Sequence, residues 1–130
     1  MTTRYLFPSA LAVLAVLPLA AQADDMLDRY KAASEQQAAN MAAFMISRVP
    51  ELESVIPPQE WTPEADVVGQ CTMDRVRADR GEDGLEAYVA AVEEMASAEI
   101  TSLNTMGENI PELLSDMYFM DVAQDCGAMD

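Results

Sequence analysis

The chain has 130 residues and not one histidine. That absence removes the usual general base near neutral pH, the commonest transition-metal ligand and most nucleophilic triads. Lysine is nearly absent too. Lys31 is the only one, and although Ser34 follows three residues later, no S-x-x-K motif exists for a Ser–Lys dyad. The two cysteines, Cys71 and Cys126, are too far apart for a C-x-x-C redox centre, and a cysteine hydrolase would lack its partner base. Aromatic residues are few. Only Tyr30, Phe44, Trp61, Tyr88, Tyr118 and Phe119 follow residue 23, which leaves little for the stacking platforms of a saccharide cleft. Carboxylates are so common that an Asp–Glu pair for glycoside hydrolysis carries no information by itself. After the N-terminus, no apolar run approaches the ~20 residues of a membrane helix. Nor is there period-2 alternation or a cluster of β-branched residues to suggest strands.

What is present begins at the N-terminus. Arg4 precedes an apolar stretch from Ala10 to Ala20, and Ala21-Gln22-Ala23 is a small-x-small site followed by Asp24-Asp25. This is the pattern of a secretory signal peptide over residues 1–23, with a mature domain over 24–130. The expected location is periplasmic or secreted, with no stable membrane anchor after cleavage.

Charge is the second strong feature. All 23 carboxylates and six of the seven basic residues lie after Ala23, so the mature chain would carry −17. Such a surface repels nucleic acid and anionic headgroups and favours a basic protein partner. In an exported chain the two cysteines suggest one Cys71–Cys126 disulfide, worth about 4 kcal/mol by loop-closure entropy.

Ala, Glu, Met and Leu dominate the mature sequence, and all favour helix. The expected first helix runs from Asp24 to Val49, with Leu27, Tyr30, Ser34, Ala38, Met41, Met45 and Arg48 at helical spacing and Pro50 ending it. Residues 50–63 form the main connection, with one helical turn at most before Pro57-Pro58. Thr62-Pro63-Glu64 opens a second helix that stops at Gly81. Asp83-Gly84-Leu85-Glu86 reads as a capping box for a third helix reaching Met106. Pro111 opens a fourth, closed by Gly127 after Cys126. The expected fold is all-α: a small four-helix bundle or an irregular helical array.

Three features could carry function. Asp79 to Ala90 resembles a calcium loop only in part, since Gly81 and Ala90 stand where ligands are required. Nine methionines follow the leader, with Met41 and Met45 one turn apart and Met117 and Met120 likewise. Thioethers at that spacing can bind Cu(I), but methionine more often supplies adaptable core or binding surface. Trp61, between prolines, would close the end of the fold or anchor a partner. In outline, as a small exported helical chain with one disulfide, the protein resembles periplasmic acid-stress chaperones. The leading expectation is a non-enzymatic protein-binding or chaperone-like module with no catalytic residue, metal ligand or cofactor. Trp61, Met41, Met45, Met117 and Met120 are its candidate partner-binding residues. A methionine-based copper-handling protein is the alternative, and a carboxylate-dependent hydrolase the lesser one.

Overall fold

The computed structural model describes residues 19–58 and 60–128, with side chains from Asp25 onward. Most of the expected leader therefore lies outside the described residues. Helix α1 spans Leu19–Arg48, so the segment around the expected cleavage site is helical and continuous with the rest of that helix. A 3-10 turn, Pro50–Ser54, begins the connection. Helix α2 spans Pro63–Ser97, α3 Leu103–Glu108 and α4 Met117–Asp125, with a second 3-10 turn at Glu112–Ser115. Among the described residues there is no strand. Two long and two short helices make an irregular helical array.

The break inside α2 comes directly from its glycines. Gly81 has φ 74° and ψ −177°, a conformation essentially closed to residues with a Cβ. The bend also brings Arg80 so close to Gly84 that a Cβ on Gly84 would lie 2.4 Å from the Arg80 Cβ. Helical backbone resumes immediately after Gly81, which places Asp83 inside the helix and not ahead of it. The expected capping box at Asp83–Glu86 is therefore corrected: the bend is made by glycine, not by a cap. Arg77, before the break, pairs with Glu82 after it (Nε–Oε1 2.6 Å). The start of α2 is as expected, with the Thr62 hydroxyl accepting from Ala65 N at 3.1 Å and Pro63 in the first turn.

The expected third helix is too long. Helix α2 ends at Ser97, and Ala98 is extended. Three distant side chains take carbonyls released there: Asn40 Nδ2 donates to Ala96 O, Asn109 Nδ2 to Glu99 O, and Arg48 Nη2 to Thr101 O. Ser102 then starts α3 with a reciprocal capping box to Thr105. The expected fourth helix is likewise shorter. Residues 112–115 form a 3-10 turn, and Asp116 caps α4 by accepting from Tyr118 N at 3.0 Å. Gly127 comes next with φ 81°, as a helix-ending glycine should.

Contacts along the helices give their directions. Arg29 reaches Glu86 and Glu93, Asn40 reaches Ala96, and Arg48 reaches Thr101, so α1 runs parallel to the second half of α2. Arg80 meets Asp116, Arg75 meets Asp125, and Cys71 bonds Cys126, so α4 runs antiparallel to the first half of α2. The disulfide joins Cα atoms 5.8 Å apart. Met73 and Val76 from before the bend share one buried cluster with Leu85, Tyr88, Val89 and Val92 from after it. Ala33 and Phe119 also belong to it. A file of rings crosses this cluster: Trp61 edge-on to Tyr30, Tyr30 on Tyr88, Tyr88 on Phe119, and Phe119 edge-on to Tyr118. Burial, with Tyr30 beside it, pushes the Tyr88 hydroxyl well above its ordinary pKa.

Candidate functional site

Ser34, Gln37, Ala38, Met41, Ala42 and Met45 lie at three- and four-residue spacing, so they form one stripe along α1. A shallow depression runs along that stripe. Two further cavities share lining residues with it. One, of about 240 Å³, lies among Tyr30 and Ser34 of α1, Tyr88, Val92 and Met95 of α2, Leu114, and Phe119, Met120 and Ala123 of α4. The other, of about 340 Å³, is closed by α3: Met41 and Met95 face Leu103, Met106 and Ile110 across it. Gln37 borders all three spaces, Met41 two and Met95 two, so they form one continuous groove.

The chemistry of this groove differs from that of the molecule around it. Not one residue lining these three spaces is charged, although the chain carries 23 carboxylates; an open depression beyond Asn40, Ala98 and Ile100 is bordered by Glu99. The groove's polar groups are amides and hydroxyls. The Asn40 and Asn109 amides are occupied by backbone carbonyls. Gln37 makes no side-chain hydrogen bond to any described residue, so its amide faces the groove as a free polar handle.

Four of the arginines are committed elsewhere, Arg48 donates to Thr101 O, and Lys31, next to Tyr30 in sequence, pairs with no carboxylate among the described residues. Arg29 forks between Glu86 (Nη1–Oε2 2.8 Å) and Glu93, and these carboxylates hold its guanidinium charged well above the ordinary range. Arg75 pairs with Asp79 and Asp125, Arg77 with Asp74 and Glu82, and Arg80 with Asp116. Glu94, Glu99, Glu108 and Asp121 adjoin groove residues in sequence and are exposed. Among the described residues no cation pairs with them.

The candidate residues separate in three dimensions. Met41 and Met45 lie in the same depression, and Met120 lines the adjoining cavity. Met117 lies on the surface, 66% exposed, and borders none of these spaces. Trp61 is half-buried. Its ring rests on α2 so closely that a Cβ on Gly69 would lie 3.1 Å from Cζ2, and its Nε1 donates to Asp66 Oδ1 at 3.1 Å. It lines none of these spaces, although its ring meets Tyr30, which does, edge-on at 6.1 Å.

Sequence reading misses Met95, Met106 and Gln37 as site residues. Helical spacing puts Met95 and Met106 on one apolar stripe of one helix. The break at Ala98 turns α3 back, so the two methionines face each other across a cavity. The signal for that break is Ser102 with Thr105 three residues on. Among the described residues, no group of three or more His, Cys, Asp or Glu side chains is arranged to hold a metal ion. No described helix is long and apolar enough to cross a membrane. No family model, curated protein or solved structure matches this chain.

Proposed function

We propose that this protein is an exported, non-enzymatic binding module whose methionine-lined groove takes an apolar segment of a partner protein. One observation carries the reading: three adjoining spaces with no charged lining residue in a chain that is otherwise dense in carboxylates. Uncharged apolar surface of this kind marks interaction sites, because a purely solvated face would be charged like the rest. Methionine suits the purpose, since its unbranched thioether side chain repacks around differently shaped apolar groups. The groove residues come from every helix, so the fold presents them on a rigid frame closed by the disulfide.

Site-specific photo-crosslinking in the exported protein tests this. A photoreactive residue at Met41 or Met106 is expected to give discrete protein adducts. The same residue at Val67, which is 70% exposed on α2 and outside the groove, is expected to give none. Equal adduct patterns at groove and control positions, or none at the groove, would remove the proposal.

A further inference from the structure

We infer that the occupant of the groove is a cationic amphipathic α-helix of about four turns, its apolar stripe on the methionines and its Lys/Arg face turned to the groove rim. This rests on the binding reading and names the chemistry of the partner.

Length comes from α1. The groove borders it from Tyr30 to Met45, sixteen residues joined by fifteen steps, or about 22 Å at 1.5 Å per step. A segment of about 16 helical residues spans that distance. Helical conformation is favoured by hydrogen bonding. An extended segment needs a sheet edge or side-chain partners for its backbone groups, and among the described residues there is no strand. Of the three groove-lining amides, the Asn40 and Asn109 Nδ2 groups already donate to carbonyls, leaving Gln37 free. A helix satisfies its own backbone and needs only apolar contact with a single polar handle.

The sign of the charge is set by the surface around the groove. Glu99 borders a depression that continues from the α3 cavity past Asn40, Ala98 and Ile100, and among the described residues no cation pairs with it; the chain's 23 carboxylates far outnumber its seven basic residues. A cationic helix supplies the missing counter-charges, whereas an acidic one is repelled. A second copy of this chain is disfavoured for the same reason, since each copy carries the same large negative charge. An anionic lipid meets the same repulsion.

Calorimetric titration of the intact, disulfide-bonded protein decides the matter with three peptides of about 16 residues sharing one leucine stripe. The first has a lysine outer face, the second a glutamate outer face, and the third is the lysine peptide with two central prolines. The lysine peptide is expected to bind at least tenfold more tightly than either other peptide, and to weaken several-fold between about 50 and 300 mM NaCl. Gln37→Lys, which puts a cation at the junction of the three spaces, is expected to cost a further tenfold. Gln70→Lys, the same charge change on exposed α2 surface away from the lining residues, is expected to cost less than threefold. Circular dichroism on both variants verifies the fold. Equal binding of the glutamate peptide overturns the charge assignment, and equal binding of the proline peptide overturns the helix; in both cases the apolar groove survives as a binding site. Equal losses from Gln37→Lys and Gln70→Lys overturn the location. Binding by none of the peptides overturns this inference, and the crosslinking result then decides the groove itself.

Discussion

Tyr88 and Phe119 stack with ring centroids 4.7 Å apart and planes 13° from parallel. This contact ties α4, only nine residues long, to the second half of α2. Both rings also line the groove, so the same pair serves stability and the site. Phe119→Ala should cost about 3–5 kcal/mol, because a buried ring is lost and its neighbours cannot fully close the space. Urea unfolding gives the loss, and the midpoint should fall without a change in slope. Phe119→Leu should cost clearly less.

Gly81→Ala should destabilise the protein by about 1–3 kcal/mol, since φ 74° with ψ −177° strains any residue with a Cβ. Gly107→Ala is the control. A Cβ on Gly107 would meet nothing within 4 Å, and its φ is not positive, so the replacement should be neutral or slightly stabilising in the thermal midpoint.

Reduction of Cys71–Cys126 should lower stability by about 4 kcal/mol in the loop-closure picture, given a sequence separation of 55 between the cysteines. Hydrogen exchange should show where the loss falls. Amides of 117–126 should lose protection first. Those of Leu85, Val89 and Val92, whose side chains lie inside the core, should lose it last.

Arg29→Met should destabilise by about 1 kcal/mol at low ionic strength and by less in about 0.5 M NaCl, because the group is partly exposed and screened by solvent. The guanidinium bridges Glu86 and Glu93 from another helix and sits beside Asp25, Asp28, Glu82 and Asp83. Without it those carboxylates repel one another across the α1–α2 contact. A loss of equal size at both salt concentrations would mean packing, not charge, was removed.

Acid should weaken the fold through Asp116. Arg80, and then the Tyr118 N–H, hold its carboxyl below the usual range. A depressed folded pKa means stability that is present above the unfolded value, about 3.9, and lost as pH falls through the folded one. Asp116→Asn keeps a cap oxygen but loses the ion pair, so it should lower the thermal midpoint at about pH 7 and match wild type near pH 2. At the alkaline end, the raised Tyr88 pKa makes stability fall as pH rises above about 10, where the unfolded tyrosine ionises. With its carboxylates protonated the chain also becomes net positive and self-repelling, so dye binding to exposed methionine surface should rise near about pH 3.

Local chemistry alone determined much of this protein. Proline at 63 with Thr62 before it starts α2, Gly81 breaks it, Pro50 ends α1, and helical spacing marks the buried faces. Two cysteines in an acidic, helix-forming chain with a leader-like start are enough to propose their bond, and it is formed. Those features act within a few residues, or through pairing of the only available partners. The tertiary structure decided the rest. Where helix α2 stops, at Ser97, side chains remote in sequence hold the backbone: Asn40 donates to Ala96 O and Arg48 to Thr101 O. Beyond that stop, α3 lines the cavity that Met106 shares with Met41 and Met95. Periodicity assigns a residue to a face of its own helix, but which faces meet, and which of them stay uncovered, depends on the packing of all the helices together.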